Sequence, residues 1–399
     1  MTGPLDGICI LDMTVGQHGP VATSMLADMG ADVIKIEDRS GGDSGRYMTA
    51  IMGAKVAQNF YFENNNRGKR SLKVDLKKDR GKEIIYRLLE KYDVFVTNFR
   101  EEAVKSLGMD YAALSQKNPR LVYAMGYGFG KEGPDRRRPA LDLAAQARGG
   151  IWSISGEPGQ PPPRIGAGMA DQVGAGILAY GIMLALFTRE RTGMGQEVNT
   201  SLLGSQVWLG SLSLQAYLFY GRTASPVARD KSANPLWSIY QCRDGKWICL
   251  AMLGSDPYWH EFCAAVEIEH LENDPRFKNH MARSQNAVEL IKILDEQFGG
   301  RNREEWAKRF NETDLIWAPA NDYAEVAGDP QIAANDYVID YDHPIHGQVK
   351  MVGLPVRLSR TPGGVQRPAP EFGQHTEEIL VELGYSWEEI ENFNKDEVT

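Results

Sequence analysis

Apolar residues in the first third of the chain fall into short runs, separated by segments in which they recur every three or four positions. The runs GICILDM (7–13) and ADVIKIED (31–38) predict buried strands. Between them, GPVATSMLADMG (19–30) predicts a helix that opens at Pro20 and closes at Gly30. RSLKVDL (70–76) alternates like a strand, and KDRGKEIIYRLLEKY (78–92) puts its apolar residues on one helical face. DVFVTNF (93–99) and LVYAMGYG (121–128) predict two more strands. Strands alternating with helices at this spacing imply an α/β fold whose parallel sheet is covered on both faces.

ADQVGAGILAYGIMLALFTRERTG (170–193) is apolar on nearly every side until its basic end, which predicts a central, buried helix. Gly193 ends it, and GQEVNTSLL (195–203) returns as a strand. The pattern changes near residue 225. SIYQCRDGKWICLAM (238–252) predicts a hairpin turning at Asp244–Gly245, and helical patterns follow at 255–266, 283–299 and 302–311. Strands are expected within 329–359, a Pro/Gly-rich connector at 362–374 and a helix over 375–393. The chain is expected to form a large domain over 1–200, completed by 330–399, and a small α+β domain over 225–325. Residues 201–224 and 326–340 read as linkers.

Composition narrows the function. The net charge of −9 over 399 residues argues against nucleic acid as a partner. It leaves room for a small anionic ligand, because a local cluster of cations can hold phosphate on an acidic protein. No apolar run is read as long enough to cross a bilayer, and the first residues lack the basic and apolar stretches of a secretory signal. The expectation is a cytoplasmic protein with no membrane partner. Cys9, Cys242, Cys249 and Cys263 form no C-x-x-C pair and sit apart from any zinc-like histidine spacing, so they read as buried, reduced thiols and no metal site is expected.

Several segments carry possible chemistry. The loop TVGQHGP (14–20) lies between a strand and a helix start, where open α/β sheets bind ligands; the alternative is a plain tight turn. It is not G-x-G-x-x-G, so the dinucleotide fingerprint is absent. Arg67, Lys69, Arg70 and Lys73 cluster at one strand start and suit either a phosphate-rich ligand or a solvated loop. Asn98, Phe99 and Arg100 close a strand and could hydrogen-bond, stack and meet a phosphate, or form a strand-end turn. Asp171 opens the long apolar helix. It could serve as an N-cap, or it could act chemically, since the glycines on both sides let a bulky ligand approach the backbone. None of the seven histidines pairs with Ser or Cys in a nucleophile elbow, and G-x-S-x-G does not occur.

Taken in order, PLDGICILDMT, GPVATSMLADMGADVIKIE, NRGKRSLKVDL, DVFVTNFR, GYGFGKEGPDRRRPALDLAAQARGG, ADQVGAGILAYGIMLALFTRERTGMGQEVNTSLL, GDPQIAAND and GQHTEEILVELGYSWEEI resemble the class III CoA-transferases. This is the family of formyl-CoA transferase and crotonobetainyl–carnitine CoA-transferase, and the resemblance covers nearly the whole chain. It implies a Rossmann-like large domain, a smaller domain, and two ring-like chains interlocked as a homodimer or with a related chain. It also implies that Asp171 is the nucleophile, passing through a mixed anhydride and an aspartyl-CoA thioester. With an ordinary carboxylate pKa, Asp171 is expected to be ionised at neutral pH. Acyl-CoA and a carboxylic acid are the implied substrates, with no tightly bound cofactor.

The resemblance places Gln17 and His18 near the thiol end of CoA, Leu72 and Lys73 along the adenine, and Asn98, Phe99 and Arg100 on pantetheine and phosphate. Lys105, Arg138 and Asp142 also match its binding positions. Asp38 stands where the formyl-CoA enzymes have Arg, so Arg39 is expected to substitute. Leu141 stands where an aromatic residue is common in the transferases and where the related α-methylacyl-CoA racemases have the His that moves a proton. A racemase is therefore the lesser enzyme alternative, and a non-catalytic subunit is the other; retention of Asp171 argues for activity. The glycine-run loop of the formyl-CoA enzymes is missing from CLAMLGSDPYW (249–259), which disfavours oxalate. Met252, Tyr258 and Trp259, with Leu141, line a larger apolar pocket or form a domain core. The pocket reading points to an aromatic or branched acid with succinyl-CoA as donor.

Overall fold

The computed structural model describes residues 3–51, 53, 59–166 and 168–399. The chain forms two compact units. The first comprises Met1–Trp152, Arg164–Thr223 and Ala334–Thr399, the second Ser153–Pro163 and Ala224–Ala333.

The first unit is built on a parallel sheet of β1 (Cys9–Met13), β2 (Asp32–Asp38), β3 (Lys69–Val74), β4 (Val94–Thr97), β5 (Val122–Tyr127) and β6 (Glu197–Ser201), in the order β3-β2-β1-β4-β5-β6. Successive side chains point to opposite faces, and both faces are covered. Leu11, Ile34, Leu72 and Phe95 pack with Ile84 and Leu88 and with Ile379 and Leu380 near the chain end. Ile10, Val33, Val94 and Val122 pack on the other face against Leu26, Leu178 and Ile182. Burial on both faces is why these strands read as continuous apolar runs. The strand order reverses between β1 and β4, so the loops that follow these two strands flank the crevice in which such sheets bind ligands.

Several expectations change. The Met169–Thr192 helix is buried along one stripe only: Leu178 and Ile182 are enclosed, while Tyr180 and Phe187 are 64% and 62% exposed. A sheet face can take up one side of a helix, and the apolar residues on the other side remain open. By length and composition this helix could span a bilayer, which corrects the expectation that no run is long enough. Residues 201–224, read as a linker, contain the helices Leu202–Leu209 and Ser211–Tyr220; 326–340 likewise holds the Pro330–Ala334 helix and the start of a strand at Val338. Of the four clustered cations, Arg67, Lys69 and Arg70 form neither a phosphate site nor a solvated loop. Arg67 pairs with Asp28 at 2.8 Å, Lys69 with Asp12 at 2.8 Å and Arg70 with Asp32 at 2.6 Å, all three cations being buried. All four cysteines are free thiols; Cys242 and Cys263 are buried, whereas Cys9 and Cys249 are only half-buried.

The second unit contains an antiparallel sheet of β7 (Trp237–Gln241), β8 (Trp247–Ala251) and β9 (Trp317–Ala320), with Asp244–Gly245 in the hairpin turn as expected. Its core is rich in aromatics: Tyr240, Trp306 and Phe310 each meet the Phe298 ring, and Trp306 stacks on Phe310. Met252 and Trp259 belong to that core, which corrects the reading that they line a substrate pocket; Tyr258 packs against it.

Candidate active site

Asp171 is not the cap of its helix. Gly168 holds that position with φ +65°, and Asp171 is the third helical residue. The capping carboxylate is Asp142, whose Oδ1 accepts from the backbone N–H of Ala170 at 2.6 Å and of Asp171 at 3.3 Å. Asp142 Oδ2 accepts from Gln146 Nε2 at 2.7 Å; the same nitrogen donates to the Ile165 carbonyl at 3.0 Å, and Gln146 Oε1 accepts from Trp152 Nε1 at 3.1 Å. With Asp142 meeting two of the orphan donors of the helix start, the Asp171 carboxyl is left free of that duty.

The loop after β1 comes up against this helix start. The Gln17 amide lies over Gly168, where an added Cβ would fall 2.5 Å from its nitrogen. The His18 ring is held between two glycines: a Cβ at Gly126 would meet it at 2.8 Å and one at Gly174 at 3.0 Å. His18 is 4% exposed, and burial pulls its imidazole down to about 4, so it is neutral at pH 7. The backbone N–H of His18 faces the Asp171 carboxylate and favours its charge.

Two effects overcome that N–H. Burial and then the nearby Asp142 charge push the Asp171 carboxyl up to about 7. This corrects the expectation of a fully ionised carboxylate at neutral pH. Burial also raises the Tyr61 hydroxyl, with the Asp171 and Asp43 charges adding to it, so Tyr61 stays protonated as a potential donor beside Asp171. If the ionised Asp171 is the reactive form, kcat/KM for acyl-CoA should rise with pH through about 7 and level off above it. Asp142→Asn removes a negative neighbour and should move that inflection to lower pH. A pH–rate profile of both proteins checks this; a flat wild-type profile between pH 5 and 8 contradicts it.

The structure therefore brings Gln17, His18, Asp142 and Asp171 together. Asn98 joins them differently, since both ends of its amide are engaged on the Val15 backbone, at 2.9 Å and 2.8 Å. The remaining candidates lie on the strands or on the segments that follow them. Arg39 follows β2 and donates to the Thr399 carbonyl at 3.2 Å. Leu72 has no exposed surface and sits in the core, so at that position only the backbone of β3 can face a ligand. Lys73 is half-buried, and its N–H donates to the Thr376 hydroxyl at 3.1 Å. Phe99 packs partly against the core, and Arg100 is exposed where the Glu101–Leu107 helix begins. Lys105 on that helix pairs with Glu101 at 2.7 Å; Arg138 and Leu141 are exposed. Sequence reading missed Tyr61, Asp43 and Lys35. Tyr61 lies in an aromatic stretch with no chemical spacing, and Asp43 and Lys35 are single charges that gain meaning only when folding pairs them.

A cavity of about 730 Å3 lies elsewhere in this unit, lined by Phe62, His343, Met351 and Phe372 among others, and Asp171 is not part of it. The surroundings of the carboxyl, rather than cavity size, locate the chemistry.

A switch-point crevice with a desolvated carboxyl at a helix start defines an α/β enzyme whose site is centred on a carboxylate. The chain matches CoA-transferase family III over residues 5–376 and belongs to that family. It is 31% identical to the (R)-2-hydroxy-4-methylpentanoate CoA-transferase of Clostridioides difficile, over 99% of each chain. It is 32% identical to the succinyl-CoA:glutarate CoA-transferase of Homo sapiens, over 95% of this chain and 86% of that one. The crystal structure of a CAIB/BAIF family protein from Brucella suis superposes with a TM-score of 0.86 at 29% identity, covering 96% of this chain and 100% of the other. The protein is a family III CoA-transferase, acting between acyl-CoA and carboxylic acids.

Proposed function

We propose that Asp171 carries CoA between acids as a covalent nucleophile. One Asp171 oxygen attacks the thioester carbonyl of the donor; the C–S bond breaks and CoA leaves as thiolate, giving an aspartyl–acyl mixed anhydride. The thiolate attacks the aspartyl carbonyl, the donor acid departs as carboxylate, and Asp171 holds CoA as a thioester. The acceptor carboxylate then attacks the same carbonyl and expels thiolate, which attacks the acyl carbonyl of the new anhydride. This releases the new acyl-CoA and restores the Asp171 carboxylate, with no net proton exchanged.

The observation that carries this reading is the Asp171 carboxyl itself, desolvated and relieved of capping by Asp142, with one backbone N–H directed at it. Desolvation keeps water from the anhydride and makes the carboxylate a stronger nucleophile once ionised. The His18 N–H is placed to stabilise charge on the aspartyl oxygen as the tetrahedral centre forms. Arg39, Lys73, Arg100, Lys105 and Arg138 supply cations for the CoA phosphates, and the Asn98 and Phe99 strand end borders pantetheine. The substrates proposed are succinyl-CoA as donor and a branched or aromatic acid as acceptor; the relatives named above include one named for succinyl-CoA and one for the branched acid 2-hydroxy-4-methylpentanoate. The racemase alternative is disfavoured, because Leu141 cannot move a proton.

The chain is also proposed to work as an interlocked dimer. Tyr180, Phe187, Trp208, Leu212, Phe219 and Tyr220 are each more than 60% exposed, more large apolar surface than a lone chain normally leaves in water. Sedimentation as a single 44.4 kDa chain would contradict this.

The deciding experiment incubates the enzyme with a panel of acyl-CoA donors, succinyl-CoA first, in the presence of hydroxylamine. Mass spectrometry should find a hydroxamate on the peptide that contains Asp171, with loss of activity. Modification of any other carboxyl, or of none while CoA transfer proceeds, removes Asp171 from the role.

A further inference from the structure

Thr14, Val15 and Gly16 join β1 to the His18–Asp28 helix. A connecting loop ordinarily leaves much of its backbone to water. Here the N–H of Thr14 donates to Asp12 Oδ1 at 3.0 Å, and its carbonyl accepts from Lys35 Nζ at 3.0 Å. Val15 is gripped from both sides by Asn98: its N–H donates to Oδ1 at 2.9 Å and its carbonyl accepts from Nδ2 at 2.8 Å. The N–H of Gly16 donates to Asp43 Oδ1 at 2.9 Å, and its carbonyl accepts from Asn65 Nδ2 at 3.3 Å. Every backbone polar group of the three residues is thus held by a side chain from β1, β2, the segment that follows β2, the residue after β4, or the Phe60–Asn66 helix.

Two of the five side chains are a buried ion pair. Lys35 Nζ lies 2.7 Å from Asp43 Oδ2, with side-chain exposures of 0% and 1%. A buried pair is a poor source of stability, because desolvating the charges offsets their attraction. Its placement accounts for it better: each partner also binds the loop, Lys35 at Thr14 and Asp43 at Gly16. The next residues along the chain are Gln17, whose amide covers Gly168, and His18, whose N–H faces Asp171.

We propose that Asp43 is a positioning residue for CoA transfer. With Asn98 holding Val15, it fixes the Gly16 N–H so that the loop presents the His18 N–H to the Asp171 oxygen on which charge develops. The inference rests on Asp171 being the nucleophile. An oxyanion donor acts over a narrow range of distance, and a displacement of about 1 Å costs about 100-fold in rate. Asp43 is buried and acts through Gly16.

The test measures hydroxamate formation with the donor that labels wild type. The final extent of labelling counts competent sites, and its rate reports their geometry. Asp43→Ala should reach the wild-type extent about 100-fold more slowly, with KM for acyl-CoA within about threefold. Asp43→Asn keeps an oxygen for the Gly16 N–H and should stay within about tenfold of wild type. Asn98→Ala removes both Val15 bonds without disturbing a buried charge, and it decides the matter if Asp43→Ala does not fold; it should also lose rate, not extent. Wild-type rates in both alanine variants overturn the proposal. So does a loss of extent that follows thermal stability while the remaining sites react normally, which marks a structural role. A raised KM at unchanged kcat in Asn98→Ala, with Asp43→Ala at wild-type rate, also overturns it, because it marks Asn98 as a substrate contact. Failure to label wild type at all sinks the Asp171 reading instead.

Discussion

Asp171→Asn should lower kcat for CoA transfer by at least about 10^4-fold, the scale on which removing a covalent nucleophile acts. The amide keeps the size and one oxygen of the carboxylate, but it cannot form an anhydride and then regenerate itself. The fold should survive. The helix start is capped by Asp142 and Gly168 is its N-cap residue, so the side chain at 171 is not needed there. Stability at pH 8 should be equal or higher, because the variant lacks a desolvated charge held near Asp142, the feature that pushes the wild-type carboxyl up to about 7. A coupled transfer assay beside a thermal unfolding curve separates the two effects. Activity within tenfold of wild type, in a protein shown by mass to carry Asn at 171, would end the covalent mechanism for this chain.

Much of this site was legible before folding, and the pattern of what was not is informative. Strands β1 to β5 read clearly because both faces of the sheet are covered, so that Ile10 and Leu11 are equally buried though they face opposite ways. The β1 loop was found because chain segments that leave the carboxyl ends of parallel strands border the ligand crevice; Asp171 stood out as a carboxylate among glycines at the start of an apolar helix, and its role as nucleophile was implied by the resemblance to the class III CoA-transferases. The signal failed where meaning depends on a distant partner. Arg67, Lys69 and Arg70 look like a surface cluster in one dimension; each finds a carboxylate from a different strand or helix in three. Asp43 sits among glycines with nothing to distinguish it from a turn residue until Lys35 lies beside it. The Asp171 pKa was misjudged for the same reason, since neither burial nor the approach of Asp142 is written in the residues next to it. Helical stripes also failed at 202–220, where the side that faces water is itself apolar, with Trp208 and Leu212 71% and 85% exposed.

The largest stability effect should come from Asp12→Ala. Asp12 has no exposed surface; Oδ2 accepts from Lys69 Nζ at 2.8 Å and from the Thr23 hydroxyl at 2.7 Å, and Oδ1 takes the Thr14 N–H and hydroxyl. Lys35 is close enough for its charge to act on Asp12 as well. Removing the carboxylate leaves two buried ammonium groups with Asp43 as the nearest ion-paired carboxylate, a change that costs about 3–5 kcal/mol when a buried pair is broken from one side. Burial alone would raise the Asp12 pKa, but the Lys69 and Lys35 charges more than offset it and hold the carboxyl at about 2, against an ordinary 3.8. A depressed folded-state pKa means that the stabilisation is complete above about pH 4 and is lost as pH falls through about 2. Burial pulls the Lys69 ammonium down to about 8, so it remains mostly charged at pH 7 and the pair is intact there. Denaturant unfolding at pH 7 should therefore show the full loss in Asp12→Ala, and the gap from wild type should narrow in acid. The double variant Asp12→Asn with Lys69→Met removes both charges and should recover more than half of the loss. If it is as unstable as Asp12→Ala, the pair is not what Asp12 contributes, and its bonds to Thr14 and Thr23 must account for the effect.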